Sequence, residues 1–202
     1  MIYETLLAEN FQRLHPKLQQ RYRLPLNVPF HAEGTMHIIR SGPIYLRPMY
    51  WLFTKNRFLF PESGEMVPFT ISNVCQINEE QQAEVYWERT FFFTNATRQF
   101  NAKMTIDLER QIVKDYLGNP PLFYSDLQFD VTEDGFLMIT SKQQRAVLGK
   151  KELPLPSLLT GRVMVTEGYD DELEVYTIHV SIFNDIVGRM MMYAGLFTPS
   201  NS

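Results

Sequence analysis

Residues 100–109 read Phe-Asn-Ala-Lys-Met-Thr-Ile-Asp-Leu-Glu. Apolar and polar side chains alternate one for one. In an extended chain Phe100, Ala102, Met104, Ile106 and Leu108 therefore share one face, and Asn101, Lys103, Thr105, Asp107 and Glu109 share the other. A helix would scatter both sets around its axis. The stretch predicts a strand with one dry face, and the same alternation recurs on either side of it.

Upstream, Ala32, Gly34, Met36 and Ile38 alternate with Glu33, Thr35 and His37. Val67, Phe69, Ile71, Cys75 and Ile77 do so with Pro68, Thr70, Ser72 and Gln76, and residues 85–93 form a further strand. Downstream, Phe123, Leu127, Phe129 and Val131 alternate with Tyr124, Asp126, Gln128 and Asp130. Glu133-Asp134-Gly135 then signals a tight turn into residues 136–141, which predicts a hairpin. Residues 161–167 and 173–183 predict a second hairpin around Gly168 to Asp171. About eight strands with one wet face each need cover for their dry faces. The chain is therefore expected to be mainly β (α+β), a strongly curved antiparallel sheet or partly closed barrel.

Three helices are expected around that sheet. Tyr3, Leu6, Leu7, Phe11 and Leu14 recur at helical spacing; Pro16 interrupts them, and Pro25 and Pro29 end all helix. A helix near residues 43–55 would cover the open side of the sheet. Asn184 is placed to cap a short C-terminal helix through Ile186, Val187, Met190 and Met191, with Gly195 as its stop. Residues 150–159, with Pro154 and Pro156, read as a surface connection. Composition does not shift across them, so residues 1–202 are expected to form one domain.

Bulk composition excludes several classes. Hydrophobic residues make up 45% and charged residues 21% of the 202, an ordinary globular balance. The net charge of −4 argues against a general nucleic-acid binder, whose phosphate contacts demand basic surplus. Cys75, the single cysteine, allows no internal disulfide. The first ten residues lack the basic and apolar regions of a signal peptide, and no apolar run approaches a membrane-spanning length. Those features predict a cytoplasmic protein. Aromatic residues at 13%, with 10 Met, suit a large core or the walls of an apolar cavity.

No phosphate-binding glycine loop, nucleophile elbow or H-E-x-x-H motif occurs. His31 and His37 could share a strand face, but solvated strand residues are the simpler reading, and no metal or cofactor is expected. Cys75 sits with the apolar set of its strand, as a small core residue would. Arg89 is the notable polar residue. It has the parity of Val85, Trp87, Phe91 and Phe93, so it faces the dry side. One reading pairs it internally with a carboxylate. The other makes it an anchor for the acidic head of an apolar ligand, with Trp87 and Phe91 as walls. Arg40 shares the parity of Met36 and Ile38 and is a second candidate, although a strand-end arginine readily reaches out to water.

The segment Gly34 to Pro61 has no Asp or Glu, yet carries Arg40, Arg47, Lys55 and Arg57 among many aromatics. Arg47, Tyr50, Trp51, Phe53 and Arg57 are the candidate contacts of a membrane surface or a protein partner. The competing reading is a covering helix whose basic residues face water.

Several short pieces together resemble a bacterial family known as a domain of unknown function, found alone or fused behind saccharopine-dehydrogenase-like NAD(P)-binding domains. They are Gly34-Thr-Met-His, the stretch from Pro43 to Phe53, Trp87-Glu-Arg-Thr-Phe91, Leu148-Gly149 with Leu153-Pro-Leu-Pro156, and Gly188-Arg189 with Tyr193-Ala-Gly-Leu-Phe197. The resemblance implies no established activity, cofactor or catalytic residue. Through the fused forms it suggests an accessory subunit of an oxidoreductase. The leading expectation from the residues is a non-enzymatic binding domain holding a hydrophobic or lipid-like small molecule in an apolar cavity. An interaction or membrane-surface module using residues 41–61 is the alternative.

Overall fold

The computed structural model describes residues 2–149 and 151–200. The strand alternation closes on itself. β1 (Phe30–Ser41), β2 (Gly64–Ile77), β3 (Ala83–Phe93), β4 (Ala96–Asp107), β5 (Ile112–Gly118), β6 (Pro121–Val131) and β7 (Leu137–Leu148) run as consecutive antiparallel neighbours. β7 pairs with β9 (Arg162–Asp170), which pairs with β10 (Val175–Asn184) and then β11 (Gly188–Pro199); β11 returns to β1. The result is a closed antiparallel barrel of ten strands. Short β8 (Lys151–Pro154) lies outside the ring, paired to the end of β7. Closure removes the free edges that an open sheet would present.

In β4 the apolar half of the expectation holds, with Phe100, Ala102 and Met104 buried in the core, but Asn101 and Thr105 of the expected wet face are buried as well. Leu108 does not join the apolar set. It sits 45% exposed in the turn after β4. The expectation of about eight strands falls short because it omits β5, β8 and β11. The C-terminal helix is the clearest correction. Residues 188–199 form β11, whose Met191, Tyr193 and Phe197 are buried at a period of two. Asn184 does cap something, accepting from the backbone N–H of Ile186 and Val187, but it closes a hairpin turn. Close approach explains two glycines. A Cβ on Gly34 would lie 2.0 Å from the Leu196 carbonyl oxygen, and one on Gly195 would lie 2.3 Å from that of Thr35.

All neighbours being antiparallel, the connections alternate between two ends of the barrel. The upper end receives α1 (Ile2–Leu7), a 3₁₀ turn, and α2 (Pro16–Tyr22), which begins with Pro16 at its first turn. Tyr3, Phe11, Leu18 and Tyr22 of this segment are buried as a plug. The lower end carries the β1–β2 connection, with a 3₁₀ turn over Ile44–Leu46 and α3 (Arg47–Lys55), as expected for an inserted helix. The connection from β7 to β9 holds β8 and a short 3₁₀ turn; Lys150 lies outside the described residues.

Candidate functional site

Polar side chains inside the barrel form two groups, one above the other. The upper group hangs on α2. Arg21 is buried and pairs with Glu167 of β9 through Nε and Nη2, while Nη1 donates to Asn73 of β2 at 3.0 Å. Tyr22 donates its hydroxyl to the same carboxylate at 3.0 Å. Phe30, Trp87, Tyr176 and Phe197 pack about the guanidinium. Burial, and then the Glu167 charge, push the Tyr22 hydroxyl well above its usual value, so it remains a donor. Every charge here has a partner. Such a pair fixes where α2 docks and leaves no free valence for a ligand.

Below it lies a cavity of about 90 Å³. Tyr22 and Trp87 bound it on the upper side, and Phe53, Phe58 and Leu59 of the α3 connection on the lower. Arg89 from β3 and Asp115 from β5 both line it. Among the described residues, three buried side-chain polar atoms have no hydrogen-bond partner in the protein: Arg89 Nε, Asp115 Oδ1 and Asn101 Oδ1. Two of the three belong to residues that line this cavity. The Arg89 guanidinium rests 5.4 Å from the Trp87 ring centroid and 5.0 Å from that of Phe100.

Asp115 has no ion pair among the described residues. Burial raises its carboxyl to about 7, with the Arg89 charge opposing the rise. Near neutrality the group therefore exists both as an acid that can donate and as a carboxylate that can accept. Tyr193 of β11 adds a hydroxyl, pushed up by burial and stabilised the other way by Arg89. Tyr124, Ser125, Gln144 and Glu167 of the upper group add further polar side chains to the wall. The volume is below the roughly 300–1,000 Å³ of pre-formed small-molecule pockets, although it far exceeds what one water needs.

The sequence candidates separate on this geometry. Arg89 and Trp87 line the cavity; Phe91 is buried in the same strand but packs among Phe60, Phe69 and Tyr193. Arg40 is elsewhere. A β-bulge between Met36 and Ile38 reverses the alternation, so Ile39 turns inward and Arg40 pairs outside with Glu65. Tyr50 and Phe53 are buried, Tyr50 donating to the Met190 carbonyl at 2.6 Å, so neither is a surface contact. Arg47, Trp51 and Arg57 are exposed. Cys75 is buried, and burial raises its thiol. Among the described residues no group of three His, Cys, Asp or Glu side chains could hold a metal ion. Among the described residues no helix is long and apolar enough to cross a membrane.

Asp115 is absent from the sequence candidates. The signal was present: Val113, Asp115 and Leu117 share a parity against Lys114 and Tyr116, as strand residues on one face do. Glu167 likewise follows Val163 and Val165 at a period of two.

In class, then, the chain is a closed antiparallel β-barrel, plugged above by helices and holding an arginine and an aspartate in an apolar interior. It belongs to the DUF4166 family, a domain of unknown function, whose profile matches residues 14–197. It is similar to "Uncharacterized protein YndH" of Bacillus subtilis (strain 168), with 38% identity over 196 residues, covering 97% of this chain and 95% of that protein.

Proposed function

We propose that the barrel is a binding domain for a small apolar molecule with an acidic head. Arg89 holds the anionic group, and Trp87, Phe53, Phe58 and Phe100 hold the apolar part. The observation that carries this reading is the pair of buried atoms without partners, Arg89 Nε and Asp115 Oδ1, in two residues that line one cavity. A buried polar atom left unpaired costs about 1–3 kcal/mol. The Arg21–Glu167 pair a short way above has its bonds satisfied. A fold that satisfies the fully buried Arg21 and leaves the buried Nε of the half-buried Arg89 without a partner suggests a bond reserved for something that enters.

Asp115 sharpens the chemistry. In its protonated form it donates to a carboxylate held by Arg89; ionised, it repels one. A ligand larger than the present cavity needs Phe53 and Phe58 to give way, and their location on the connection at the lower mouth suits that movement. Native mass spectrometry of freshly purified protein tests the reading. A co-purifying mass that is lost in Arg89→Met supports it. Bare polypeptide mass, together with no thermal shift on adding octanoate or longer fatty acids, would overturn it.

A further inference from the structure

The two ends of the barrel differ in charge and in apolar exposure, and this difference is independent of what the cavity holds. The turns at the upper end carry Glu79 and Glu80, Glu133 and Asp134, and Glu172 and Glu174, all exposed and none in an ion pair among the described residues. At the lower end the pattern inverts. The acids there are each paired: Glu62 with Arg98, Glu152 with Arg145 and Asp185 with Arg162. Arg47, Lys55, Arg57 and Arg189 are exposed there and make no ion pair among the described residues. A protein of net charge −4 thus presents one basic pole.

That pole also carries the larger set of exposed apolar side chains, although Leu26, Val28, Ile77, Leu108 and Leu173 are exposed at the upper end. α3 buries Tyr50 and Phe53 and turns its opposite face to solvent. At 100° per residue the outward face takes Arg47, Trp51 and Lys55 in one row, with Pro48 and Leu52 beside it. Trp51 is 55% exposed and Leu52 59%. Ile44 and Tyr45, just before the helix, are exposed at 72% and 62%. Tyr45 donates to the Val187 carbonyl, which brings the β10–β11 turn and exposed Ile186 to the same surface. Leu158 is exposed at this end too. Scattered apolar residues need no explanation, but exposed Trp, Tyr, Leu and Ile gathered on one helix and the turns beside it, at the same end as four unpaired cations, do. Trp and Tyr among Arg and Lys have the composition of a membrane interface, where rings sit among headgroups and cations meet anionic lipid.

We propose that the lower end of the barrel docks peripherally on an anionic lipid bilayer. α3 and the Ile44–Tyr45 turn lie at the headgroup level, and the acidic upper end points away. The charge asymmetry makes one orientation favourable and the inverted one repulsive.

Flotation with phosphatidylglycerol–phosphatidylcholine vesicles at low salt is the test, with pure phosphatidylcholine vesicles in parallel. Wild-type protein is expected to float with the first, to remain behind with the second, and to be released as salt rises. Neutralising each cation should weaken partitioning about five-fold, so Arg47→Gln with Lys55→Gln weakens it about 25-fold. Trp51→Ala with Leu52→Ala should weaken it as well. Glu79→Gln with Glu80→Gln, at the far end, should not. These side chains are exposed, and a thermal melt of each variant shows that it folds. Wild-type protein that stays off anionic vesicles at low salt would overturn the proposal, as would binding indifferent to salt and to the loss of Arg47 and Lys55. Sedimentation detecting a dimer that Trp51→Ala with Leu52→Ala dissolves would assign the face to a second copy of the chain and overturn it equally.

Discussion

Replacing Asp115 by asparagine keeps the shape of the side chain and removes its titration. The folded protein holds the Asp115 proton up to about pH 7, whereas a carboxyl at its ordinary value of 3.8 has lost it well before. Between those limits the folded state binds more protons than the unfolded chain, so wild-type stability falls as pH rises through this window and levels off above it. A gap of roughly three pH units corresponds to about 4 kcal/mol at 1.36 kcal/mol per unit. The asparagine variant lacks this contribution. Its stability relative to wild type should therefore climb by about 1.4 kcal/mol per pH unit from pH 5 to 7, then stay level to pH 8.5. Urea melts of both proteins at half-unit steps measure the difference, in which every other titrating group cancels. A difference that stays flat across this range would refute the reasoning. It would mean that Asp115 ionises freely, in a wet interior or against an unseen cation, and does not face an apolar cavity.

Further outcomes follow from the same packing. Arg21→Met strands Glu167 in the barrel and should cost about 3–5 kcal/mol, whereas Arg21→Met with Glu167→Leu should recover most of it; urea melts read both. Met104→Asp, on the inner face of β4 at 5% exposure, should cost several kcal/mol, roughly, while Thr97→Asp on the exposed side of the same strand should cost under about 0.5. Equal costs would mean the register of β4 is misassigned. Octanoate affinity, followed by thermal shift, should weaken as pH rises through 7, because Asp115 then becomes a second anion beside the ligand; an affinity independent of pH would separate Asp115 from the binding site.

The barrel was legible where alternation is long and unbroken. Residues 100–106 declare a strand because no helix could keep Phe100, Ala102 and Met104 together. The same logic placed Arg89 inside, since β3 runs without a bulge from Glu84 to Phe93. It failed where a bulge resets the count: between Met36 and Ile38 the parity flips, and Arg40 leaves the interior. It failed again at β11. There Val187, Met190 and Met191 mimic helical spacing, because a second register shift, opposite Ile182 and Phe183, sets two buried methionines side by side. Short β5 escaped notice because a buried aspartate interrupts its apolar set. That aspartate is half of the candidate site, so the residue that hides the strand is one that gives the interior its chemistry. Tyr50 and Phe53 look like interface aromatics in sequence; in the fold they are the inner face of α3, and Trp51 and Leu52 are the outer.

The role of Arg89 is tested most directly by thermal melts of wild type and Arg89→Met, each with and without octanoate. If Arg89 anchors a ligand, the unliganded variant melts at or above the wild-type temperature, since a half-buried guanidinium whose Nε lacks a partner has been removed. Octanoate then raises the melting temperature of wild type alone. A variant that melts well below wild type, yet gains as much from octanoate, would contradict the account and leave Arg89 a structural ion.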